Sequence, residues 1–229
     1  MNSILKFNVL HIVILLSINF FGLHLIPVFI RDYLTSFVVS SIYFLIANLA
    51  IIYWVNRFGV SSKYSINKIL KLPPKFYDYI LIAIIFFGSF IYSYLFNIAQ
   101  RNHLFDFLNT NLERPLQLPS VEIAKKFRIL FTFLLLFSTI TLVLAEELFF
   151  RVYLFKKQFL YFGTGTWILN GFFWTIYHLF SISNLMDIFP LTLLYSYIYQ
   201  RRRNISMTII AHLMVNLTYV SKYIFILYE

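Results

Sequence analysis

The sequence contains no cysteine. Disulfides, thiolate metal ligands and a cysteine nucleophile are therefore excluded. Charge is scarce too: charged residues make up 12% of 229 positions, with 9 acids against 19 Lys and Arg. There is no HExxH pattern, no internal repeat, no low-complexity tract and no segment with the composition of a soluble domain. What remains is apolar. The chain is 60% hydrophobic with a mean hydropathy of +0.77, which fits a multi-span helical membrane protein and not a soluble domain of this size. Its 28 Phe and 17 Tyr suit lipid-facing, packing and interfacial positions. A net charge of +10 could suggest nucleic acid. The basic residues sit between apolar runs, however, where they set topology and meet anionic lipid, so the expected partner is the lipid bilayer and no nucleic acid. Richness in Phe, Ile, Tyr, Asn and Lys accompanies AT-rich bacterial genomes, and the expected location is a bacterial plasma membrane.

Apolar runs occur at about 8–30, 34–55, 78–99, 127–150, 164–182, 187–200 and 205–227. A span needs roughly 20 residues, so the 187–200 run is short. The expected fold is all-α, a polytopic transmembrane helical bundle of about seven spans (six to eight). The first run is long, has only Lys6 ahead of it and lacks a small-residue cleavage site, so it reads as a retained span. Three basic clusters fall on one side when seven spans alternate: the 57–77 loop, Arg151 with Lys156 and Lys157, and Arg201 to Arg203. The positive-inside rule makes that side, and the N-terminus, cytoplasmic. Gly163-Thr164-Gly165 is a stronger helix breaker than Lys156-Lys157. A turn there leaves Glu146 and His178 nearly level in an antiparallel hairpin, about 3 Å apart in depth. The polar site is expected within the membrane, closer to the cytoplasmic face.

That site begins at Ala145-Glu146-Glu147-Leu148-Phe149-Phe150-Arg151. A charged side chain at mid-bilayer costs on the order of 3 kcal/mol even on lenient scales, so such groups mark function by default. Glu147 and Arg151 stand at i, i+4 with the acid first, the favourable order for a helical ion pair. Glu146 is rotated about 100° from Glu147. The angles make Glu147 the better structural partner of Arg151 and Glu146 the better working carboxylate. Two later segments supply partners: Trp174 with His178, and His212 with Asn216, each pair one helical turn apart. Trp174 can pack beside the His178 imidazole.

The order EExxxR, WxxxH, HxxxN resembles the CAAX protease and bacteriocin-processing (CPBP, or Abi) family of intramembrane endopeptidases, which includes the type II CAAX prenyl endopeptidases. The family's second motif usually begins with Phe, where this chain has Trp174. The resemblance covers roughly residues 127–220 and divides the chain into N-terminal spans without a recognised motif, 1–126, and a catalytic transmembrane core, 127–229. It implies hydrolysis of a membrane-associated peptide or protein: a leader, a signalling peptide or a CAAX-like tail.

Two mechanisms fit the candidate catalytic set Glu146, Glu147, His178, His212 and Asn216. In the preferred one no cofactor is needed. Glu146 and His178 hold and deprotonate water, while His212 and Asn216 bind the oxyanion. In the alternative, Glu146, His178 and His212 bind zinc, which activates the water. The resembled family is commonly labelled a metalloprotease. Two other functions use the same residues: a non-catalytic bacteriocin self-immunity or scaffold protein, and a small proton-coupled transporter. The polar groups crowd one half of the chain, which argues against the paired halves of a transporter.

Overall fold

The computed structural model describes residues 2–30, 32–59, 74–101, 121–179 and 185–229, and its regular structure there is entirely helical. Helix α1 (Asn2–Phe20) continues through a π-helical turn (Phe21–Leu25) into α2 (Ile26–Phe29). Then follow α3 (Tyr33–Trp54), which ends in a second π turn (Val55–Gly59), α4 (Phe76–Arg101) and the short α5 (Val121–Lys126). Helix α6 (Arg128–Glu147) runs through a π-helical segment (Leu148–Leu154) into α7 (Phe155–Phe162). The last three are α8 (Thr166–Tyr177), α9 (Leu185–Arg202) and α10 (Ile205–Tyr228). Helices are what hydrocarbon permits, because each satisfies its own backbone polar groups. Leu34–Arg57, Phe76–Phe96, Arg128–Tyr177 and Ile205–Tyr228 are long and apolar enough to cross a membrane, the third being the α6–α8 hairpin. The short 187–200 run lies within α9.

Local chemistry sets the ends. Asp32 caps α3 by accepting from Thr35 N at 2.7 Å, and those hydrogen bonds hold its carboxyl below the usual carboxylate range. Asn204 caps α10 through Met207 N at 3.3 Å. The rod from Arg128 to Phe162 is continuous and stops where the sequence expects, at Gly163, whose φ of 52° belongs to the left-handed region. At Gly171 a Cβ would lie 2.9 Å from the Leu193 Cα, so only glycine lets α8 and α9 approach this closely. Beside it the Thr175 and Thr192 hydroxyls pair at 2.6 Å. Pro190, inside α9, has no N–H to offer the Met186 carbonyl, and Tyr92 Oη donates to that oxygen at 2.6 Å.

Three connections gather at one end of the bundle. The Gln200 amide donates to Thr164 O at 2.8 Å and accepts from Trp167 N at 3.1 Å. Arg202 Nε meets the buried Asp78 Oδ1 at 2.6 Å. The Gly163 turn, the start of α4 and the α9–α10 turn therefore lie together, and Lys156, Lys157 and Arg201 to Arg203 cluster with them. Opposite, Phe37 stacks on Phe131 with ring centroids 4.6 Å apart, and Arg128 lies over the Tyr228 ring at 5.2 Å. Most of the 57–77 loop, residues 60–73, lies outside the described residues.

The cysteine-free chain allows a direct test of orientation. In intact cells, Arg201→Cys should resist an impermeant maleimide and Phe127→Cys, at the other end, should react. The reverse pattern would invert the orientation.

Candidate active site

Glu146 and Glu147 close α6, where the helix widens into the π-helical segment that carries Arg151. Such segments recur at functional sites. The two carboxylates diverge. Glu147 is completely buried. Its Oε2 lies 3.4 Å from Arg151 Nε, and its Oε1 accepts from His212 Nδ1 at 3.1 Å. Arg151 is also buried. One of its terminal nitrogens donates to Asn170 Oδ1 and to Ser196 Oγ, the latter at 2.8 Å, and its guanidinium lies over the Trp174 ring at 4.3 Å. Asn170 in turn donates to Phe150 O at 2.9 Å and Gln158 Oε1 at 3.0 Å. Further hydrogen bonds help a buried ion pair persist, and here they reach one terminal nitrogen of Arg151 and Glu147 Oε1, while Arg151 Nε and Glu147 Oε2 meet each other by charge alone.

Glu146 faces the other way. Its Oε2 accepts from Trp174 Nε1 at 2.8 Å. The indole also stands edge-on to His212 and His178, with centroids 5.2 and 6.1 Å away. His178 ends α8, and its Nδ1 donates to Trp174 O at 2.9 Å. Carbonyl and carboxylate oxygens only accept, so both histidines carry the Nδ1 proton, and in the neutral rings the basic lone pair is on Nε2. Asn216 Nδ2 donates to His212 O at 3.2 Å, using one of its two N–H groups.

Glu146, Trp174, His178, His212 and Asn216 line one cavity of about 580 Å³. Glu147 does not. The residue that the sequence places in both the catalytic set and the ion pair sits behind the cavity, holding Arg151 and His212. Glu146 precedes Lys156 by ten residues, about 15 Å of helix, which is half of a roughly 30 Å hydrocarbon core. From Glu146 the cavity follows α6 back to Leu134, away from the basic end rather than toward it.

Among the described residues no three His, Cys, Asp or Glu side chains group as a set that could hold a metal ion. Glu146, His178 and His212, the zinc set considered from the sequence, all lie around the Trp174 indole. Sequence reasoning missed Asn170 and Ser196, which hold Arg151, Gln158, which holds Asn170, and Asn19, Asn48 and Tyr195 in the cavity wall. Single amides in apolar segments, such as Asn48 in Ile46-Ala47-Asn48-Leu49, were the available signal.

Fold and site together define a helical membrane protein with a Glu, His and Asn cavity among its spans. Residues 128–218 match the family model of type II CAAX prenyl endopeptidase Rce1-like proteins. Through this region, from the start of α6 into α10, the chain is similar to the CAAX-type membrane protease family. No curated protein and no solved structure matches the chain.

Proposed function

We propose that this protein is an intramembrane endopeptidase in which Glu146 activates the attacking water. The observation that carries this reading is the split between the carboxylates. Glu147 is committed to Arg151 and His212, while Glu146, held at one oxygen by Trp174, lines the cavity with both histidines. Water between Glu146 and His178 Nε2 can donate one hydrogen to each. As its oxygen attacks a peptide carbonyl, Glu146 takes the proton and later delivers it to the departing amine. The developing oxyanion receives the second N–H of Asn216 and, when His212 is protonated, its Nε2–H. Glu147 accepts from His212 Nδ1 and fixes the ring, the role of a carboxylate behind a histidine. The substrate is a membrane-associated peptide or protein segment. The orientation implied by the basic end opens the cavity toward the outer side of the membrane.

The test uses the purified protein, with its fold verified by thermal unfolding, and a pooled library of apolar decapeptides, with and without a C-terminal farnesyl cysteine. Mass spectrometry should find a restricted set of cleaved bonds. Folded protein that leaves both pools intact would favour the immunity or scaffold role.

The donor arrangement supports a route without zinc. Elemental analysis should find no stoichiometric zinc, and a strong chelator should leave cleavage unchanged. About one zinc per chain, with activity lost on chelation and restored by zinc, would overturn the metal-free route and leave the peptidase standing.

A further inference from the structure

Helices α1 and α3 lie outside the matched region, yet they form one wall of the cavity. That wall carries Asn19 and Asn48, only 5% and 4% exposed. The Asn48 amide nitrogen makes no hydrogen bond, and the Asn19 amide has only the Tyr177 hydroxyl beside it as acceptor. Burying an amide donor without an acceptor is costly. One donor without an acceptor, and a second amide with N–H capacity to spare, stand in one wall and call for a ligand that brings acceptors.

We propose that Asn19 and Asn48 are substrate-binding residues, whose N–H groups hold main-chain carbonyls of an extended peptide segment lying along the cavity. This deepens the endopeptidase assignment and rests on it. Position supports it first. Leu15 and Ile51, on the same two helices, border a small void with Glu146. Asn19 lies one turn after Leu15 and Asn48 one turn before Ile51. Helix α1 runs toward the outer end and α3 away from it, so both steps lead from Glu146 into the cavity. Length supports it next. Both Leu134 and Glu146 line the cavity, and twelve residues of α6 span about 18 Å. That accommodates about five extended residues at roughly 3.4 Å each. Chemistry supplies the rest. A peptide entering an apolar site brings carbonyls that need donors. Phe37, Phe44 and Leu142 offer apolar surface for its side chains. A lipid ester carbonyl could use the same donors, but a cavity that ends at Glu146 suits a chain delivering a bond to be cut.

The full-length protein carrying Asn19→Leu, Asn48→Leu or both tests this, with the best-cleaved decapeptide of the pool as probe. Leucine keeps the branched heavy-atom skeleton and removes the donors. KM should rise about fivefold for each single change and about twentyfold for the pair, with the loss in KM rather than kcat. The unfolding midpoint of Asn48→Leu should hold or rise, because an unpaired buried amide is gone. A purely structural role would do the opposite, lowering the midpoint and leaving KM alone. A double variant with wild-type KM overturns the inference while the peptidase stands. Loss of co-purifying phospholipid at unchanged KM would give the amides to lipid, and also overturns it. A folded wild-type protein that cleaves no peptide contradicts the endopeptidase assignment, and this inference with it.

Discussion

Arg151→Ala is expected to remove most of the folded protein. The guanidinium has almost no contact with solvent and joins three helices. It pairs with Glu147 on α6, reaches Asn170 on α8 and Ser196 on α9, and lies over the Trp174 ring. Alanine would leave the fully buried Glu147 without its cation and Asn170 and Ser196 without their donor. Breaking one side of a buried pair costs about 3–5 kcal/mol. Total stabilities are typically about 5–15 kcal/mol, so a large share is at stake. The readout is the yield of monodisperse protein in detergent and its unfolding midpoint. Arg151→Lys should fall between, since an ammonium keeps the charge but cannot span carboxylate, amide and ring together. A wild-type midpoint for the alanine variant would show that the network contributes nothing.

Glu146→Gln should have the opposite profile, with normal folding and turnover reduced about a thousandfold, within the range for loss of a general base. Glutamine keeps a carbonyl oxygen for the Trp174 indole N–H, so the local hydrogen bond survives. It cannot take a proton from water. Glu147→Gln, by contrast, should lower the amount of folded protein, because Arg151 and His212 both depend on that carboxylate. Wild-type turnover by Glu146→Gln would remove Glu146 from the reaction.

What could be seen in the sequence was local. The rod through Glu146 ends at Gly163 because a glycine there can take a positive φ, and the residue type announces it. The divergence of Glu146 from Glu147 follows from the 100° helical step, which holds in any α-helix. What could not be seen was lateral. Nothing in the spacing of Trp174 says that its N–H reaches Glu146 across 28 residues, or that His212 turns to Glu147. Asn170, Ser196 and Gln158 are single polar residues on three separate segments, and only packing reveals that the first two hold one guanidinium while Gln158 holds Asn170. The direction in which the cavity runs has no signal in the sequence for the same reason. Periodicity locates a residue along its own helix, while open space depends on how α1 and α3 stand against α6.

Hydrolysis driven by Glu146 places one oxygen of water in each new carboxylate. The decapeptide pool is incubated in water labelled with heavy oxygen, with the purified wild-type protein and with Glu146→Gln, and the products are read by mass spectrometry. The wild-type protein should yield fragments whose new carboxylates each carry one labelled oxygen, and the variant should yield none. An intact pool after incubation with folded wild-type protein, or equal labelled product from both, would contradict it.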